Sequence, residues 1–130
     1  MVVDDDDGIR EFIAALLEMT GGVEVARFSS AIAGLSAFAA APGEFQFILT
    51  DLEMPGIDGT EFCRRARALV PGVKVLLVTG NSEITDAEAR RLGFCGLVQK
   101  PFPAEALRRA VEAAQTHEIF PKHEAAFLTA

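Results

Sequence analysis

Neither tryptophan nor tyrosine occurs in the 130 residues, so the aromatic surface consists of ten phenylalanines. Stacking on nucleic-acid bases has no polar-tipped ring to draw on, and a formal net charge of -7 repels a phosphate backbone. Both features count against nucleic acid as a direct partner. No apolar run approaches the ~18 residues needed to cross a membrane, and the first residues are acidic where a secretory signal would be basic. The expected location is the cytoplasm, with no membrane partner. Cys63 and Cys95 are the only cysteines and lack CxxC spacing; in a reducing compartment they read as packing thiols rather than a disulfide. His117 and His123 both fall in the last fifteen residues without H-E-x-x-H spacing, so neither is expected in a site built elsewhere. Internal repeats, linkers and low-complexity segments are absent as well.

What is present is a hydrophobic half, enough for one domain with a full core. Met1-Val2-Val3 reads as a strand fragment running into four consecutive acids, Asp4 to Asp7. Ile9, Phe12, Ile13, Leu16 and Leu17 then recur at helical spacing from Gly8 to Met19, and Gly21-Gly22 ends that helix. Val23 to Phe28 is a second strand candidate. Ala31 to Ala41 is an alanine-rich helix with Ile32, Leu35 and Phe38 inward, stopped by Pro42-Gly43. Phe47-Ile48-Leu49 is a short buried strand that delivers Asp51 to a loop turned by Pro55-Gly56. Asp58 and Glu61 form a capping box for a helix from Gly59 to Leu69, with Phe62, Ala66 and Leu69 on one face. Val73 to Val78 is a continuous apolar run, as in a strand covered on both faces. Thr85 and Glu88 repeat the capping box for a short helix to Leu92, Gly96 to Gln99 is a last strand, and Pro103 opens a helix with Ala104, Leu107, Val111 and Ala114 inward. The alternation predicts an α/β domain over residues 1–115, a doubly wound parallel sheet with helices on both faces, followed by a weakly patterned tail, 116–130.

The residues that follow each strand carry the chemistry. Asp4-Asp5 follows the first, Asp51 the third, Thr79 the fourth and Lys100 the fifth, and a parallel sheet binds ligands at that carboxyl edge. Two carboxylates ~4 Å apart at an effective dielectric of about 20 repel by roughly 4 kcal/mol, so an acid cluster in a crevice protonates or holds a cation. Asp6 and Asp7 have the alternative of complementing the dipole of the following helix, and Asp51 that of a solvated loop acid. An all-oxygen set of this kind suits Mg²⁺ better than zinc. A carboxylate beside it can act as a nucleophile toward phosphorus, with the Thr79 hydroxyl and the Lys100 ammonium meeting the phosphoryl oxygens.

VVDD at Val2 to Asp5, TDLEMPGIDG at Thr50 to Gly59, VTG at Val78 to Gly80 and KPF at Lys100 to Phe102 stand in order and at suitable intervals. In these motifs the chain resembles the receiver domain of bacterial two-component response regulators over about residues 1 to 115. The resemblance implies a flavodoxin-like (βα)5 fold with strand order 2-1-3-4-5. It implies Asp51 as phosphoacceptor, with Mg²⁺ held by Asp4, Asp5, Asp51 and the Glu53 backbone carbonyl. Thr79 resembles the switch hydroxyl and Lys100 the phosphate-contacting lysine, before a Lys100-Pro101 bond that is usually cis in the family. The implied phosphodonor is a sensor histidine kinase or a histidine phosphotransfer protein, and the implied outcome is a change of conformation that alters binding to an output protein. With no DNA-binding domain expected, the chain reads as a stand-alone regulator, a phosphorelay intermediate or sink, or part of a longer protein, and a homodimer is open.

Four features depart from that pattern: Leu97 where many members carry an aromatic switch residue, the acid Glu53 two residues after Asp51, Phe28-Ser29-Ser30 in place of an Asp-Gly turn, and a short first strand. The paired spacing of Glu61 with Arg65, Asp86 with Arg90 and Glu105 with Arg109 favours solvated helix faces over a basic docking surface. Two other functions compete. A haloacid-dehalogenase-type phosphohydrolase shares the aspartyl-phosphate and Mg²⁺, but Asp51-Leu52-Glu53-Met54-Pro55 breaks its D-x-D-x-T motif. A receiver-like contact module that is never phosphorylated has no need of Asp5, Asp51, Thr79 and Lys100 together. The domain is therefore expected to catalyse only its own phosphorylation and dephosphorylation.

Overall fold

Five parallel strands, all but the second rich in β-branched and aliphatic residues, alternate their side chains with a period of two: β1 (Val2–Val3), β2 (Arg27–Phe28), β3 (Phe47–Thr50), β4 (Lys74–Thr79) and β5 (Gly96–Gln99). In this computed structural model they lie in the order β2-β1-β3-β4-β5. The structure describes residues 1–115 apart from 22 and 46. The expected tail, with its histidines and Phe120, Phe127 and Leu128, lies outside the described residues, as does Gly22.

The helices are α1 (Asp7–Gly21), α2 (Ala31–Ala40), α3 (Gly59–Leu69), α4 (Asp86–Arg91) and α5 (residues 104–115), with a single 3₁₀ turn at Pro42–Glu44. The sheet is covered on both faces, and its alternation sorts the core into two. Ile48, Val75 and Leu77 point to one side with Phe38, Phe62, Ala66 and Ala89 of α2, α3 and α4. Leu49, Leu76 and Val78 point to the other with Ile13 and Ala14 of α1 and Leu107 of α5. Because both faces are buried, β4 reads as an unbroken apolar run.

Side-chain caps set the starts of α2, α3 and α4. Ser30 Oγ accepts from Ala33 N, which accounts for the second serine of Ser29-Ser30 where the family pattern expects a turn. Asp58 caps α3 through Glu61 N at 2.9 Å, and Thr85 caps α4 through Glu88 N at 3.1 Å. The return half of each expected capping box is absent: Glu61 turns to Arg64 and Arg65, and Glu88 to Arg91. An arginine one turn on is a stronger partner for a carboxylate than a backbone N–H.

Several expectations are corrected. The second strand is confined to Arg27–Phe28, because β1 offers ladder partners only to those two residues. The preceding backbone is held instead by side chains: Val25 N donates to Glu18, and Arg27 bridges Glu11 and Glu18. Phe12, Ile32 and Leu69, expected inward, are 50%, 55% and 52% exposed. The buried lines run through Ile13 on α1 and through Ala31, Gly34 and Phe38 on α2, one residue or about 100° away. Phe12 lies against the Phe102 ring, whereas Ile32 and Leu69 line a shallow groove between α2 and α3. On α5 Leu107 and Ala114 are buried, but Ala104 is exposed and the helix begins there, with Pro103 as the flanking residue whose carbonyl accepts from Ala106 N. The ion pairs of Glu61 with Arg65 and Glu105 with Arg109 form, whereas no pair joins Asp86 to Arg90 and that helix uses Glu88 and Arg91.

Candidate functional site

Asp4 follows β1 directly, Asp51 follows β3, and Thr79 and Gln99 end β4 and β5. Since β1, β3 and β4 are neighbours in register, with Val3 opposite Thr50 and Thr50 opposite Leu77, the groups after them meet at one edge of the sheet. Ligand-competent oxygens of Asp4, Asp5 and Asp51 all lie within 4.8 Å of one another. The run of four acids is divided by function. Asp6 caps α1 by accepting from Ile9 N, and Asp7 pairs with Arg10, whereas Asp4 and Asp5 turn toward Asp51. Both Asp6 and Asp7 thus serve the helix start.

Two of the three carboxylates, Asp4 and Asp51, are held by hydrogen bonds. Asp4, 1% exposed, accepts from Asp6 N through Oδ1 and from Lys100 Nζ through Oδ2 at 3.0 Å, and its carbonyl accepts from Arg10 Nη1. Asp51 Oδ1 accepts from Leu52 N at 2.8 Å, while its Oδ2 stands 3.4 Å from Lys100 Nζ. The Asp51 backbone is held as tightly: its N–H donates to Val3 O, and its carbonyl accepts from Thr50 Oγ1. Asp5 is exposed and faces the open side.

Burial, reinforced by the Asp4 charge, pushes the Asp51 carboxyl above the ordinary aspartate value despite the pull of Lys100. Burial also works against the Lys100 ammonium, but Asp4 and Asp51 outweigh it and hold its pKa above that of a free lysine. Three carboxylates facing one ammonium leave a net deficit of positive charge. The donor set is all oxygen and partly open to solvent through Asp5, which fits a hard divalent cation that keeps some of its water.

Thr79 ends β4 and is 1% exposed. Its Oγ1 accepts from Asn81 N at 3.1 Å, and its carbonyl accepts from Lys100 N. The Lys100-Pro101 peptide is cis. Glu53, in the loop two residues after Asp51, has an exposed side chain. Both cysteines are free; Cys63 is buried, and burial pushes its thiol up to about 11.

The sequence pattern of the response regulator receiver domain matches residues 1–112. The chain belongs to that family. It is a receiver domain of two-component signalling, similar to the transcriptional regulatory protein FixJ of Azorhizobium caulinodans (39% identical over 114 residues, 87% of this chain and 53% of that protein). It is also similar to the chemotaxis protein CheY of Pseudomonas aeruginosa (32% identical, 86% of this chain and 91% of that protein). The chain thus spans about half the length of FixJ. Among solved structures, a response regulator receiver domain protein from Clostridium thermocellum superposes with a TM-score of 0.82 at 28% identity, over 92% of this chain and 94% of that one. Among the described residues, no helix is long and apolar enough to cross a membrane.

In this receiver domain, two supports of the site were not foreseen. Arg10 braces the Asp4 carbonyl from α1, where an amphipathic pattern marks it only as a polar position. Gly59 backs directly onto Asp51: a Cβ there would stand 2.2 Å from the Asp51 carbonyl oxygen, and Gly59 N donates to Leu52 O. Its D-G-T-E context announces a helix start, and nothing local announces that close approach.

Proposed function

We propose that this receiver domain accepts a phosphoryl group on Asp51. The observation that carries the reading is the convergence of Asp4, Asp5 and Asp51 within 4.8 Å, with Lys100 bonded to one of these acids and beside another. An Asp51 carboxylate oxygen forms a bond to phosphorus as the bond from phosphorus to the donor breaks, and the electron pair leaves with the donor. Asp4, Asp5, Asp51 and the Glu53 backbone carbonyl would hold Mg²⁺, which supplies neutralisation of the phosphoryl oxygens. Lys100 offers its ammonium to one oxygen and Thr79 its hydroxyl to another. The donors fitting this chemistry are a sensor histidine kinase or a histidine phosphotransfer protein in the cytoplasm.

A phosphoryl group adds about 1.5 to 2 negative charges at the sheet edge. Thr79 and Lys100, at the ends of adjacent strands, are placed to register it, and the resulting change of shape is read by an output protein. The domain turns over no separate substrate: it takes a phosphoryl group and loses it slowly to water.

The test is the intact mass of the wild type and of Asp51→Asn after incubation with Mg²⁺ and acetyl phosphate. The expected result is one added phosphoryl group in the wild type alone, abolished by chelator. Equal labelling of both proteins would move the acceptor elsewhere. An unlabelled wild type, beside a control receiver that labels, would favour a contact module that is never phosphorylated.

A further inference from the structure

Gln99 and Lys100 are consecutive, and neighbouring residues of a strand point to opposite faces. Lys100 reaches the acid site. Gln99 shares a face with Leu97, which packs against the α2–α3–α4 core, and there it meets the loop from β4 to α4. Gln99 Nε2 donates to the carbonyls of Asn81 at 3.1 Å and of Ile84 at 3.3 Å. Two carbonyls can be served only by the NH₂ end of the amide, so this orientation is dictated by the partners, and both amide hydrogens are used. Asn81 is also tied through its other backbone group and its side chain, because Asn81 N donates to Thr79 Oγ1 and Asn81 Oδ1 accepts from Glu83 N.

We infer that Gln99 is a positioning residue for the Thr79 hydroxyl, acting through the Asn81 backbone. The Asn81 N–H occupies an acceptor site of Thr79 Oγ1, and among the described residues that hydroxyl donates to nothing. Its hydrogen is left to point at an incoming acceptor. The direction is only as well defined as the Asn81 backbone, and Gln99 anchors that backbone to β5. The backbone bond from Lys100 N to Thr79 O at 2.7 Å ties the same strand ends together from the other side. The end of β5 thus holds the two groups that would face a phosphoryl oxygen: Lys100 directly, and Thr79 through Gln99 and Asn81. This extends the proposed function, on which its kinetic part rests.

Gln99→Met keeps the length of the side chain and removes both donors, and Gln99→Glu provides a second variant that keeps the shape without donors facing the carbonyls. In the unphosphorylated protein, amide exchange at Asn81 should accelerate about fivefold or more in either variant, with the interior of β4 unchanged. Labelling of the wild-type background by acetyl phosphate should slow about threefold to tenfold, the worth of a lost positioning hydrogen bond, at the same half-saturating Mg²⁺. In a Thr79→Ala background the same Gln99 substitutions should change the rate by less than about twofold, since coupled residues are non-additive. Unchanged exchange at Asn81, or a full Gln99 effect without the Thr79 hydroxyl, would overturn the inference. If the wild type takes no phosphoryl group, the reading of Asp51 fails instead, and exchange at Asn81 still decides whether Gln99 holds the loop.

Discussion

Gly59 stands so close to Asp51 that a methyl group on its Cα would lie 2.2 Å from the Asp51 carbonyl oxygen. The first turn of α3 is thereby pressed against the backbone of the proposed acceptor, and its N–H closes the loop through Leu52 O at 2.7 Å. Gly59→Ala cannot be absorbed by rotating a side chain, since the obstacle is backbone. It should destabilise the domain by about 2–4 kcal/mol, read from urea unfolding, and should lower labelling at Asp51 in the fraction that remains folded. A variant as stable as the wild type would show that α3 can shift freely and that this contact does not set the loop.

A divalent cation that binds only the folded acid cluster should raise stability by mass action. With Mg²⁺ at ten times its apparent Kd the gain is about 1.4 kcal/mol, visible as a saturable rise in Tm. Asp5→Asn is the informative variant, because Asp5 is exposed and its loss should leave the metal-free fold intact while flattening the titration. An Asp5→Asn protein with the wild-type Mg²⁺ response would remove Asp5 from the ligand set.

Asp51 gives the domain a pH dependence of unusual sign. Its folded-state pKa lies above the unfolded value, so the folded protein binds that proton more tightly. The stability it contributes is fully present below the unfolded value and is lost as pH rises through the folded one. Without metal at pH 7, Asp51→Asn should therefore melt higher than the wild type, by roughly 2–5 °C. The gap should close as pH falls below the ordinary aspartate value of 3.8. Melting curves from pH 3 to 7 in a chelator decide this, and a gap that does not change with pH would refute it.

Glu61 behaves in the opposite way. Hydrogen bonds from Arg64 and Arg65 hold its carboxyl down at about 2, so its contribution is present above the ordinary value of 4.5 and is lost as pH falls toward 2. Glu61→Gln should melt about 1–2 °C below the wild type at neutral pH, a small effect because an exposed pair is screened by solvent. The two curves should merge near pH 2, and added salt should narrow the difference at pH 7. A difference that survives at pH 2 would place its cause elsewhere in the helix.

The strand ends were legible from residue order because one rule suffices for them: in a parallel sheet every strand delivers its next residue to the same edge. Residue order alone therefore assigns Asp4, Asp5, Asp51, Thr79 and Lys100 to one edge of the sheet. The bounds of α3 and β5 were equally legible, since a cap at Asp58 and the Gly93 stop before β5 mark them locally. What required the tertiary structure were relationships between residues distant along the chain. The stop of β2 after two paired residues depends on how far β1 extends beside it. The exposure of Ile32 and Leu69 depends on how α2 and α3 rotate to bury Phe38 and Phe62, a choice that an alanine-rich helix with apolar residues on several sides leaves open. The need for glycine at position 59 and the hold of Gln99 on Asn81 arise from segments that meet only when the sheet closes. Local pattern determined which groups reach the edge; packing of distant segments decided how firmly each is held there, because close approach and hydrogen-bond partnership are properties of pairs and leave no periodic trace in either partner's sequence.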